Sequence, residues 1–194
     1  MRKQFFLICA LAAFIAQPGI SQAQSGPVTR ASDLMPRFVD VNNEAVAAEA
    51  RLLLAAGIGE QVAAIDLQAK AMSREATAGM VEQLMAARKG AALALAAKLA
   101  TPGLTLDSAA RQQFGIGIDG LARAIKQWEE MSADMPGLKQ MMRDGGIKTR
   151  NGLYVAKSLP DYLRDARQEL AAAVTFARAN KIDFASEVNA MVAP

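Results

Sequence analysis

The chain has no histidine, and its one cysteine, Cys9, lies among the first ten residues. Without histidine there is no Ser-His-Asp or Cys-His nucleophile, no imidazole acid–base group and none of the usual zinc ligand sets. Aromatic residues are scarce as well, 5% of a composition that is 52% hydrophobic, so alanine and the aliphatics must fill the core. That balance favours helices, because alanine gives up no side-chain entropy on entering one. At 194 residues the chain is long enough for one domain with a substantial core and short for two.

The N-terminus reads as a secretory signal peptide. Arg2 and Lys3 precede an apolar run from Phe5 to Ala16, Pro18 and Gly19 break it, and Ser21 and Ala23 put small residues where a signal peptidase reads. Cleavage is expected after Ala23, so residues 1–23 form the signal, 24–31 a flexible lead-in and 32–194 a single all-helical domain. The run is shorter than the ~20 residues of a spanning helix. Cys9 follows Ile8 inside the run, unlike the acylated cysteine of a lipoprotein. Removing Arg2 and Lys3 from the 22 basic residues leaves 20 against 19 acidic ones, a balance that gives little reason to expect phosphate-driven nucleic-acid binding. The exported chain keeps no cysteine, so packing and not disulfides must hold it together. The bacterial periplasm is the expected compartment, with the extracellular space as alternative.

Helical periodicity recurs through the remainder. Asp33–Val41 and a second helix from Asn42 or Asn43 to about Ala56 are expected, closed by Gly57. The proline-free stretch Ile58–Ala100 carries Ile58, Val62, Ile65, Ala69, Met72, Ala76 and Met80 on one face, with Leu67, Ala71, Ala78 and Met85 opposite. A helix contacted on two sides is a central pillar. An unbroken helix of that length would reach ~65 Å, too long for a compact domain of this size. Arg88-Lys89-Gly90 is the expected stop, giving Gly59–Lys89 and a buried brace Ala91–Ala100. Thr101-Pro102-Gly103 ends the segment. Asp107 then caps a helix with Phe114, Ile118, Leu121, Ile125 and Trp128 in register, expected to end at Met135-Pro136-Gly137 and to be followed by a short helix at Leu138–Arg143. Asn151-Gly152 is a type I′ turn signal, so an irregular loop or minimal hairpin is expected near 144–157. Ser158 would cap a helix bearing Leu163, Ala166, Leu170, Val174 and Ala177, with a last helix at Phe184–Val192. The whole is an all-α single bundle of about five to seven helices.

Motifs that suggest chemistry lack the context that chemistry needs. Gly115-Ile116-Gly117-Ile118-Asp119-Gly120 spells the dinucleotide fingerprint, but it follows a capped helix start and not a strand, so the glycines read as close helix contacts. Of nine methionines beyond Met1, Met131, Met135, Met141 and Met142 form a group that soft Cu(I) would favour, yet methionine at such spacing also fills cores. No catalytic, cofactor or metal residue is therefore assigned. Glu130 and Asp134, an i,i+4 carboxylate pair beside Trp128, are the residues a histidine-free hydrolase would have. Lys139, Arg143, Lys148, Arg150 and Lys157 surround the irregular segment and form a candidate partner-binding loop. The leading expectation is a non-enzymatic protein that binds another protein of the cell envelope, as an inhibitor, an immunity-type protein or an accessory subunit. The alternatives are a carrier of an amphiphilic or lipid ligand between helices, and a hydrolase working through the carboxylate pair.

Overall fold

The structure, a computed structural model, describes residues 33–72, 76–142 and 147–192, with side chains described outside 137–150. The expected signal peptide, its cleavage site and the lead-in lie outside the described residues. Six helices and no strand occur among those described: α1 Leu34–Ala55, α2 Gly59–Ala71, α3 Ala78–Leu99, α4 Ser108–Met142, α5 Ile147–Ala179 and the single turn α6 Val188–Met191. The fold is an all-α bundle. α1 packs chiefly on α4, α4 on α5 and α5 on α3, while α2 fills the space between α1 and α3.

α4 is the central element. Phe114, Ile118, Leu121, Ile125 and Trp128 are all fully buried, as their spacing predicts. Asp107 opens the helix by accepting from the Ala110 N–H at 2.8 Å. The glycine motif is helical throughout and sits where α4 presses on its neighbours. A Cβ at Gly117 would come within 2.9 Å of Leu52, and one at Gly120 within 2.9 Å of Ala48, both on α1. A Cβ at Gly115 would collide with the Asp183 carbonyl oxygen. These are close-approach glycines, as their helical context implies.

Helix ends follow the expected signals where glycine supplies them. Gly57 has φ +78, and Ile58 N–H donates to Leu53 O and Gly57 N–H to Leu54 O, each at 3.0 Å. This is the paired closure of a Schellman motif. α5 closes in the same way with Lys181 in the left-handed position at φ 53: Ile182 N–H reaches Ala177 O at 2.9 Å and Lys181 N–H reaches Arg178 O at 3.3 Å.

Several expected boundaries are corrected. α1 runs through Asn42 without a break, because the Asn42 amide is buried inside the bundle and donates to Phe38 O at 2.8 Å instead of capping a new helix. The expected pillar is two helices, one ending at Ala71 and the next beginning at Ala78, and it is not broken at Gly90. Met72 turns extended and Thr77 caps α3, its hydroxyl accepting from Met80 N–H. α2 buries Ile65 and Ala69 where it meets α1 and α3, but the opposite face is open to solvent, with Leu67 67% exposed. The Ala91–Ala100 stretch belongs to α3 and buries only Ala91 and Leu95 fully. α4 continues through Pro136 to Met142. α5 begins at Ile147 and passes through Pro160, so the irregular loop or hairpin over 144–157 is replaced by helix from Ile147 onward. Val155 and Leu159 are fully buried and extend the Leu163–Leu170 stripe backward. Asn151 is used in tertiary contact instead of a turn: its side chain bonds Ala76 O and Ala78 N–H, each at 3.4 Å. The last helix shortens to Val188–Met191.

Candidate functional site

The sequence places a charged residue inside an apolar stripe three times, and the bundle brings the three together. On α3, Val81, Leu84, Arg88, Ala91 and Leu95 repeat at core spacing, and all five are buried. On α1, Glu49 lies between the buried Ala45 and Leu52; on α5, Glu169 lies between the buried Ala166 and Ala173. Arg88, Glu49 and Glu169 are only 4%, 1% and 6% exposed.

Arg88 grips Glu49 in a bidentate ion pair, with Nε 2.9 and 3.0 Å from the two carboxylate oxygens and Nη2 closing on Oε1. Nη1 donates to Asn42 Oδ1 at 2.9 Å, and the guanidinium plane lies 4.8 Å from the Trp128 ring centroid. This fork geometry suits a buried carboxylate well. Desolvation works against the Arg88 charge, but the charge and hydrogen bond of Glu49, with Glu169 and Tyr162 beside them, together outweigh it and the guanidinium pKa is raised. Glu169 is the second carboxylate against one cation. Burial, and then the Glu49 charge beside it, push its pKa well above the usual carboxylate range, with Arg88 acting in the opposite sense and the side-chain hydrogen bond to Glu49 raising it further. Glu169 therefore favours its protonated form more than a free carboxyl does, with Glu49 as its side-chain hydrogen-bond partner.

These groups close the inner end of a cleft of about 660 Å³ between α3 and α5. One wall is apolar: Met85, Ala86, Ala92, Leu93 and Ala96 of α3 line it, and Leu93 is 65% exposed. Tyr154 and Tyr162 line the other side, with Tyr162 Oη 3.4 Å from Tyr154 Oη. Burial and that neighbouring hydroxyl hold the Tyr162 phenol in its neutral form by raising its pKa. At the mouth, Arg164 pairs with Asp161 at 2.8 Å and Asp165 at 3.3 Å, and Lys89 stands 4.0 Å from Asp165.

The residues expected to act lie elsewhere. Glu130 is exposed and bonded to Arg37 at 3.3 Å, Asp134 is half-buried, and Trp128 is wholly buried beneath Arg88, so it offers no face for a sugar. Met131 and Met135 are buried in the core, while the Met141 and Met142 side chains lie outside the described residues. Of the basic cluster, Lys157 is exposed on α5, and the side chains of Lys139, Arg143, Lys148 and Arg150 lie outside the described residues. Among the described residues no three or more histidine, cysteine, aspartate or glutamate side chains are grouped so as to hold a metal ion, and no helix is long and apolar enough to cross a membrane. Together the fold and cleft define an all-α bundle with a buried ionic centre at the base of an amphipathic groove. No family model, curated protein or solved structure matches the chain.

Proposed function

We propose that this chain is a non-catalytic binding protein of the bacterial periplasm that carries a small amphiphilic ligand in the cleft between α3 and α5. The supporting observation is the cleft's division of labour. Its volume of about 660 Å³ lies within the ~300–1,000 Å³ of small-molecule sites, which combine apolar walls with a few convergent polar groups. Here the apolar wall is Met85 to Ala96 and the polar groups are Glu49, Arg88, Glu169 and the two tyrosines. A side chain as apolar as Leu93, left 65% exposed on that wall, is one a ligand would cover.

Native mass spectrometry of protein released from the periplasm tests this reading. A bound small molecule lost on substitution of Leu93→Glu, with the helical content unchanged, is the expected result. A clean apo mass, together with no uptake of any amphiphile by the purified protein, would overturn it. N-terminal sequencing of the same material is expected to begin at Gln24. Docking to an envelope protein through Lys139, Arg143, Lys148, Arg150 and Lys157 is the competing reading. Its supporting observation is the exposure of Lys157. Charge reversal at Arg143, Lys148 and Arg150 that weakened capture of one envelope protein would favour it.

A further inference from the structure

The ligand's head group can be read from the charges around the cleft, an inference that rests on the binding function proposed above. Five carboxylates line the cleft (Glu49, Glu82, Asp161, Asp165 and Glu169) against three cations, Arg88, Lys89 and Arg164. Each cation is already engaged: Arg88 with Glu49, Lys89 with Asp165, and Arg164 with Asp161 and Asp165. The donors of Arg88 are directed at Glu49, Asn42 and Met85. At the inner end two buried acids, Glu49 and Glu169, stand with a single cation, Arg88, which is paired with Glu49, and the exposed Glu82 adds a further carboxylate. An anionic head entering here would meet like charge, whereas a cation would meet a carboxyl group able to become its counterion.

We propose that the cleft selects an amphiphilic amine, its ammonium group seated against Glu169 and Glu49 and its apolar body lying along Met85, Ala92, Leu93 and Ala96. The ammonium supplies donors that a carboxylate accepts, forming charge-assisted hydrogen bonds. Burial and the Glu49 charge favour the protonated form of Glu169, and a Glu169 that carries a proton must surrender it to become the counterion. The groups acting on Glu169 are Glu49 on α1 and Arg88 on α3, with Tyr162 and Asp165 of its own helix also lining the cleft. The balance is simple: one ammonium enters, one O–H bond at Glu169 breaks, and one proton passes to solvent. Binding is therefore linked to proton release and tightens as pH rises, as long as the amine stays protonated.

Calorimetric titration with octylamine, octanol and octanoate separates the possibilities, since the three share an alkyl chain and differ in the head. Octylamine is expected to bind about tenfold or more tighter than either of the others. Titrations in buffers of different ionisation enthalpy are expected to show close to one proton released per octylamine. Glu169→Gln, which preserves the shape and the hydrogen bond to Glu49, should abolish the proton release and weaken octylamine by about tenfold while leaving octanol unchanged. Glu82→Gln at the exposed mouth should weaken octylamine by a smaller factor in a protein whose core is untouched. Equal or tighter binding of octanol or octanoate would overturn the amine assignment and leave the carrier function standing. Failure of all three to bind would overturn both.

Discussion

Replacing Arg88 by methionine is the sharpest perturbation of this fold, and its cost can be bounded from the structure. The substitution keeps an unbranched apolar side chain over Trp128 but removes the fork on Glu49, the bond to Asn42 and the charge 4.8 Å from the indole. A buried pair broken from one side costs about 3–5 kcal/mol, mostly because the other charge is stranded. The stranded carboxylate has an escape, since it can take a proton. Holding a glutamate neutral at about pH 7 costs about 3.7 kcal/mol, at 1.36 kcal/mol for each unit above its ordinary pKa of about 4.3. The electrostatic penalty therefore saturates near ~4 kcal/mol at neutral pH and fades as pH falls towards ~4.5, leaving about 1 kcal/mol for the lost Asn42 and Trp128 contacts. Urea unfolding followed through Trp128 fluorescence, at about pH 7 and about pH 4.5, reads both values. At neutral pH the expected loss of about 5 kcal/mol in all corresponds to roughly 10–20 °C in Tm for a chain of this size. The double variant Glu49→Leu, Arg88→Met removes both charges and is expected to regain most of the loss. A deficit that is the same at both pH values, or below about 1 kcal/mol at neutrality, would refute the reasoning.

Other expectations follow from the same contacts. The folded Glu169 holds its proton more tightly than the unfolded chain does, so its contribution to stability is complete below about pH 4.3 and is lost as pH rises through the raised folded value. Glu169→Gln should therefore raise Tm at neutral and alkaline pH and change it little at about pH 4, and a lower Tm at alkaline pH would contradict the assignment. Gly115→Ala should destabilise by about 1–3 kcal/mol, because its Cβ meets the Asp183 carbonyl and that collision exceeds the helix-propensity gain. Gly90→Ala, exposed in α3 with nothing within 4 Å of its Cβ, should stabilise by about 0.5–1 kcal/mol; chemical denaturation of the two variants side by side checks both signs. Lys181→Gly should stabilise by up to about 1 kcal/mol by relieving the left-handed backbone at φ 53 that closes α5, read as a rise in Tm.

Much of the bundle is legible in the sequence where period and cap agree. The Phe114–Trp128 stripe follows Asp107, Gly57 with φ +78 ends α1, and Gly103 with φ +76 turns the chain after α3. Local breakers misled where tertiary burial outweighed them. Pro136 and Pro160 sit inside helices because Met131, Met135, Val155 and Leu159 around them are buried. Asn151-Gly152 has the residues of a tight turn, yet the Asn151 amide is taken by the backbone of the α2–α3 connection. That connection carries no proline or glycine, and Ser73 and Thr77 are the residues in it that can cap a helix. Arg88 precedes Gly90 and so resembles a last-turn cation, but its register with Val81, Leu84, Ala91 and Leu95 marks a core position. Glu49 and Glu169 carry the same signature. Charge in a core register was the legible trace of the cleft, although the sequence does not show that three such residues on three helices would meet.

The most direct test of the account is a crystal structure of the protein grown with octylamine. The expected result is the amine in the cleft between α3 and α5, its nitrogen within hydrogen-bond distance of Glu169 and its chain against Leu93 and Ala96. An empty cleft at a saturating concentration of octylamine, or an amine bound only on another surface of the bundle, would contradict it.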